Sequence, residues 1–435
     1  MDISGKRMVE NLKAIDYVRL SGTEGEEKAA NFIAGKIKEL GAEPVIETFD
    51  VPFYTIEKVK LEALKPFNKE YEATGYGFSG NAAKDGIEAE LKYLESFDDL
   101  SLQNIQGKIV LFVGGVNAQT FEKLIKAGAV GFIGVCGHYL DKKGTFDLEE
   151  RMLREQQIVN GVIPGVCIHV NDAVAIVDKG VKKVRLTLSQ NETTAKSRNV
   201  TTFVTGTKFP DEIISVTAHY DSVVFSHGMF DNGSGTVNNL EMLRYYLKNP
   251  PRRSLRFVFC GSEERGIYGS RNFVEQHEEE IKKTRLCCNV DMTGPVLGKD
   301  IVRITGEDKI IHAIDYYAKV HGHVATVYQD TYPSDGMPFA WKGVPAVNFY
   351  RQAAAGTTQI HCRHDTLSRI TAKSLESTGK FIVEVMNTII NADSFPFERK
   401  IPDNMVEKTN GMLKNMPGYK TDGEDKDKQQ KKQVS

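Results

Sequence analysis

Between Ser215 and Gly269 the chain repeats one construction: an apolar run that ends in an acid or an imidazole. IISVTA leads into His219-Tyr-Asp221, and SLRFVFC leads through Gly-Ser into Glu263-Glu264. From Ser197 onward such runs (NVTTFVTG, IISVTA, SLRFVFC, LCCNVDM, IVRIT, VATVYQ, VPAVNFY) alternate with helical patterns such as TVNNLEMLRYYLKN and KIIHAIDYYAKVHG. Short apolar strands that alternate with helices of this kind bury themselves as a mainly parallel sheet covered on both faces. The pattern predicts a three-layer α/β/α sandwich with a mainly parallel, mixed sheet. Ligands of such sheets bind at the carboxyl ends of the strands, where the acids and imidazoles fall.

Composition removes several function classes. A net charge of -2 gives no electrostatic case for nucleic acid or an anionic membrane surface. No run approaches the 18 or so apolar residues of a membrane span. The opening MDISGKRMVENLKAIDY lacks the apolar stretch of a secretory signal, so a cytoplasmic location is expected. The six cysteines form no CxxC pair, and several sit inside apolar runs as free core thiols do.

Texture divides the chain into four parts. Residues 1–70 begin with helices, among them EEKAANFIAGKIKELGAE, where Ala29, Phe32, Ile33, Ile37 and Leu40 recur at helical spacing. Residues 71–197 are β-rich (AELKYL, GKIVLFVGG, AVGFIGVC, VIPGVCIHV, KKVRLTLS) and read as a compact insert. Its His138 and His169 are isolated beside apolar residues and are expected to be structural. Residues 198–397 carry the α/β core, and 398–435, ending TDGEDKDKQQKKQVS, read as a charged, disordered tail.

The chemistry-bearing residues of the core are His219, Asp231, Glu263, Glu264, Asp291 and His361. Each alone has an ordinary explanation, Asp231 before Asn-Gly as a turn residue for instance. Together they change the reading, because acids at buried strand ends are costly unless something binds them. Histidine plus carboxylates, with no thiolate required, is the donor set of a hard-to-borderline metal. The chain has no GxSxG elbow, and FDNGSG lacks the spacing of a phosphate loop.

The blocks His219-Tyr-Asp221, Asp231-Asn-Gly-Ser-Gly, Gly-Ser-Glu263-Glu264, Asn-Val-Asp291-Met and His361-Cys-Arg-His-Asp365-Thr resemble, in order and spacing, the ligand blocks of the di-zinc exopeptidases of clan MH. That is the family of aminopeptidase Y, aminopeptidase S and glutamate carboxypeptidase II. The insert resembles the protease-associated domain that many members carry. The resemblance implies two Zn2+ ions, with His219 and Asp291 on one, Glu264 and His361 on the other, and Asp231 bridging. It implies Glu263 as general base, Asp221 as a carboxylate orienting His219, and a cis Asp231-Asn232 peptide. Tyr332 and Tyr350 are candidates to support the oxyanion, since Ile360 stands where some members have Tyr. Gly336 replaces a frequent His. The spacing to Asp365 favours His361 over His364 as ligand, and His227 is expected to be a loop residue. Arg351 and Arg363 are candidates for a substrate carboxylate.

The implied function is a zinc-dependent exopeptidase acting on peptide substrates, first as an aminopeptidase. The alternatives are a carboxypeptidase or dipeptidase with the same metals, and a non-catalytic receptor-like relative. Neither a nucleic-acid nor a membrane partner is expected, and a homo-oligomer stays open.

Overall fold

The computed structural model describes residues 1–137, 141, 148 and 150–413, which places His138 outside the described residues. The chain divides into two units: Met1–Val51 with Ala195–Met412, and a second built on Pro52–Thr194.

In the first unit four strands run parallel at the centre of the sheet, in the order Ala346–Ala353, Thr284–Val290, Phe209–His219, Arg253–Cys260. Gly298–Thr305 lies antiparallel beside Ala346–Ala353 and carries Ala325–Gln329 parallel to itself. On the other side Val200–Val204 pairs antiparallel with Arg253–Cys260. The sheet is therefore mixed around a parallel centre.

The strand Arg253–Cys260 explains the layering. Successive side chains point to opposite faces, so Leu255, Phe257 and Phe259 enter one core while Val258 and Cys260 enter another. The larger core takes Met8, Leu12, Ile33, Ile37, Leu240, Leu243, Phe381 and Met386 from the helices Gly5–Ala14, Glu24–Glu39, Ser234–Lys248 and Ala372–Ile390. The smaller takes Phe273, Val274, Ile281 and Phe339 from helices on the other face. Helix Ala372–Ile390 starts on a capping box between Thr371 and Ser374. A Cβ at Gly5 would lie 1.7 Å from the Ala372 carbonyl oxygen, so only glycine lets the first helix approach it this closely.

The second unit has its own sheet, in the order Lys183–Val204, Ile87–Leu94, Ile109–Phe112, Gly131–Cys136, Gly165–His169, Ala73–Gly77, with a separate core on each face. It begins at Pro52 rather than at residue 71. No break in periodicity marks that point, because Val45–Lys65 is one uninterrupted strand. The expected tail also needs correction. Asp403–Leu413 is a helix, and Ile401, Met405, Thr409 and Leu413, spaced by four, are all buried. Ile401 and Met405 cover Ala340. The charged residues around them hid that stripe, and residues 414–435 lie outside the described residues. Among the described residues no helix is long and apolar enough to cross a membrane.

Phe257 is fully buried in the central sheet. Phe257→Ala is expected to lower the unfolding free energy by about 3–5 kcal/mol, read from urea denaturation midpoints at unchanged slope.

Candidate metal centre

The candidate ligands sit at the carboxyl ends of parallel strands or in the loops beyond them. His219 closes Phe209–His219, Asp291 follows Thr284–Val290, and Glu263 and Glu264 follow Arg253–Cys260. Asp231 precedes helix Ser234–Lys248, and His361 lies in the loop after Ala346–Ala353. Backbone in uncommon conformations turns several of these side chains inward. Ser262, Met292 and His361 have φ of 57°, 55° and 57°, and the Asp231-Asn232 peptide is cis.

Asp231 is the centre of the arrangement. Its Oδ1 lies 3.2 Å from His219 Nε2 and its Oδ2 lies 3.2 Å from His361 Nε2. His219 Nε2 is also 3.5 Å from Asp291 Oδ1, and His361 Nε2 is 3.1 Å from Glu264 Oε2. Two groups result, His219 with Asp291 and His361 with Glu264, joined by one carboxylate. Glu263 Oε2 stands 3.9 Å from His219 Nε2, beside the first group. His219 is 1% exposed at its side chain, whereas His361 is 44% exposed and forms the lip.

The donor set fits a metal. Ligand atoms of His219, Asp231 and Glu264 lie within 4.8 Å of one another. Glu264 Oε1 and Asp291 Oδ1 are buried and accept no hydrogen bond among the described residues. Buried carboxylate oxygens without donors are costly, and a cation removes that cost. Without one, the imidazoles take the load. Glu264 pushes His361 up to about 12 against the opposing effect of burial, with Asp231 adding to it. Burial alone would depress His219, but Glu263, Asp221, Asp231 and Asp291 outweigh it and hold it well above its ordinary value. Burial opposes ionisation of Asp231, yet bonding from both imidazoles keeps it well below the usual carboxylate range. Glu263 is raised well above its ordinary value by burial, then by Glu264, Asp335 and Asp291, against His219.

Around these groups other polar residues fix orientation. Asp221 accepts from the backbone N–H of Glu263 at 3.0 Å and of Glu264 at 3.2 Å, and lies 3.5 Å from His219 Nδ1. A chain of donors runs from the Thr217 hydroxyl to Asn289 (2.8 Å), from Asn289 to Ser334 (3.0 Å), and from Ser334 to Asp291 Oδ2 (2.7 Å). That chain leaves only Oδ1 of Asp291 to face His219. Asp335 is fully buried nearby and raised to about 6, by burial and then by Asp291 and Asp221, against His219.

The remaining candidates separate. Tyr332 and Tyr350 stack at 5.3 Å with ring planes 6° apart. The Tyr350 hydroxyl accepts from Arg303 Nε at 3.0 Å and lies 3.2 Å from the Tyr328 hydroxyl, which turns it away from the acids. The Tyr332 phenol is raised by burial and then by Asp291, Asp231 and Glu263, against Arg303. His364 is exposed while His361 joins the cluster. His227 pairs with Asp16 at 2.7 Å, and buried His169 lies in the second unit, 2.9 Å from Asp141. Arg351 pairs with Asp300 at 3.1 Å, and Arg363 lies over the Phe225 ring at 5.3 Å. Ile360 is exposed at the rim.

Sequence reading missed Arg303, Ser334, Asn289, Asp335 and Arg19. Arg303 lies over the rings of Tyr332, Tyr350 and Tyr328 at 5.0, 5.1 and 5.7 Å, and its terminal nitrogens donate no hydrogen bond among the described residues. Its one sequence signal was a charge in the otherwise apolar run IVRIT. Gly336 is tightly enclosed: a Cβ there would lie 2.4 Å from Asn348 Oδ1.

Residues 199–386, which include every candidate ligand, match the model of peptidase family M28. Over that stretch the chain is similar to this peptidase family. It is 26% identical over 399 residues to the aminopeptidase YwaD of Bacillus subtilis, spanning 87% of this chain and 82% of that protein. It is 28% identical over 308 residues to mouse carboxypeptidase Q, spanning 67% of this chain and, at 65%, just under two thirds of that protein. Among solved structures, BSAP, a zinc aminopeptidase from Bacillus subtilis, superposes with a TM-score of 0.76 at 23% identity, over 93% of this chain and 99% of that one. A peptidase M28 precursor from Shewanella amazonensis gives 0.75 at 22% identity, over 92% of this chain and 95% of that one. The fold of the M28 aminopeptidase structures is shared.

The surrounding carboxylates hold both imidazoles above their ordinary range, so a metal competes with protons for them. Zinc binding is therefore expected to release protons at pH 7 and to tighten as pH rises. Titration calorimetry in buffers of different ionisation enthalpy checks this.

Proposed function

We propose that the chain is a di-zinc exopeptidase whose first activity is that of an aminopeptidase, releasing amino-terminal residues from peptides. The observation that carries this reading is the division of Asp231, one oxygen toward His219 and Asp291, the other toward His361 and Glu264. His219, Asp291 and Asp231 would hold one ion, and His361, Glu264 and Asp231 the other. Zinc bound there would polarise the scissile carbonyl and lower the pKa of a bound water. Glu263, next in sequence to Glu264 but turned toward His219, takes a proton from the attacking water and passes it to the leaving amine nitrogen. Asp221 holds the loop of Glu263 by two amides, which fixes the base relative to His219. Tyr332, whose phenol is raised by burial and the acids, is the candidate donor to the developing oxyanion. The relatives YwaD and BSAP, named as aminopeptidases, support the choice of substrate end.

Glu263→Gln should keep zinc binding and lower kcat by about 10²–10⁴-fold, the usual worth of acid–base catalysis. Chelator-sensitive hydrolysis of aminoacyl-nitroanilides is the accompanying assay. Absence of both zinc and hydrolysis of any short peptide would sink the enzymatic reading. Loss of zinc from Glu263→Gln would reverse the assignment of base and ligand.

One observation favours the second reading, a carboxypeptidase or dipeptidase. Arg303, stacked against Tyr332, has terminal nitrogens open to a carboxylate, and carboxypeptidase Q is among the relatives. On that reading a dipeptide should exceed its C-terminal amide in kcat/KM by about tenfold or more, and Arg303→Met should bring the ratio toward one. Equal rates for acid and amide in the unaltered enzyme leave the aminopeptidase reading alone.

A further inference from the structure

The loop that presents Asp231 is held from both sides by buried groups, a guanidinium and a carboxyl. On one side the Arg19 guanidinium, fully buried, donates to the carbonyls of Gly228 at 2.9 Å and of His227. It also donates to the carbonyls of Ile15 at 2.9 Å and Tyr220 at 2.5 Å, so it is anchored before it reaches the loop. On the other side Asp365, 2% exposed, accepts from the backbone N–H of Phe230 at 2.6 Å through Oδ1 and of Asp231 at 3.0 Å through Oδ2. Its own carbonyl accepts from the Met229 N–H at 3.5 Å. The guanidinium meets carbonyls and the carboxyl oxygens meet amides, so both groups oppose rotation of the same short peptide.

Asp365 repeats what Asp221 does across the site. Asp221 stands two residues after His219 and takes the consecutive amides of Glu263 and Glu264. Asp365 stands four residues after His361 and takes the consecutive amides of Phe230 and Asp231. Each imidazole-bearing segment thus carries an aspartate that grips the backbone of a neighbouring acidic loop. Neither needs to touch a metal to set where a ligand carboxylate sits.

We infer that Asp365 is a positioning residue for the bridging carboxylate, holding Asp231 at the height where its two oxygens reach both imidazoles. The inference rests on the reading of Asp231 as the bridge. Two amides demand two acceptor oxygens. Asn in place of Asp365 offers one oxygen and turns an NH2 group toward the other N–H, so the loop must shift by a rotation at Asp231.

The test is zinc binding to the full chain, with zinc alone as the probe, by equilibrium dialysis and calorimetry on the metal-free protein. Asp365→Asn is expected to weaken the more loosely held ion by about 10–100-fold, the range for partners behind metal ligands, with a smaller effect on the tighter ion. Asp365→Glu keeps both acceptor oxygens on a longer arm and should recover part of the loss. A purely structural role would lower the melting temperature of both variants and leave both affinities unchanged; that result overturns the inference. Unfolding of both variants in excess zinc also overturns it, since Asp365 would then determine the fold and not the bridge. Fewer than two ions on the unaltered chain would instead remove the bridging reading itself, a separate failure visible before any variant is made.

Discussion

The structure depends on one electrostatic constraint: Asp221, Asp231, Glu263, Glu264, Asp291 and Asp335 share one mostly buried space at the ends of four parallel strands. Like charges in a poorly solvated space repel, and each group also loses hydration. Two imidazoles cannot offset all six, which is why the raised groups (Glu263, Glu264, Asp335) coexist with the depressed Asp231. Such a collection is an expensive way to build a fold and an economical way to build a cation site.

The carboxylates divide by what their oxygens meet. Asp221 and Asp365 have their oxygens filled by backbone amides and so serve as fixed points. Glu264 and Asp291 each keep one buried oxygen without a donor. Saturated acids brace the loops, and unsaturated ones are left with bonding capacity. Hydrogen-bond accounting therefore marks Asp221 and Asp365 as braces. Open oxygens alone do not mark a ligand candidate, since both oxygens of Asp335 are also buried without a donor among the described residues.

The layering and the cluster of candidate ligands were legible because they are written locally. Short apolar runs with acids at their ends, alternating with helical patterns, predict a parallel sheet and a site at its edge, and the strands end where His219 and Asp291 stand. What escaped depends on contacts between residues far apart in the chain. Arg19 lies in a stretch with no motif, and its value comes from carbonyls at Tyr220, His227 and Gly228. Ser334 and Asn289 are ordinary residues until the fold lines them behind Asp291. The start of the insert was hidden because a strand crosses it without a change in pattern. The last helix was misread because charge density outweighed a stripe of four buried residues.

Gly336 ties the packing of the site to the backbone at Arg303. Any side chain there would run into Asn348 Oδ1, and the Asn348 amide in turn donates to the carbonyl of Arg303 at 3.2 Å. A side chain at 336 would therefore have to turn the Asn348 amide, and turning it would release its hydrogen bond to the backbone beneath Arg303.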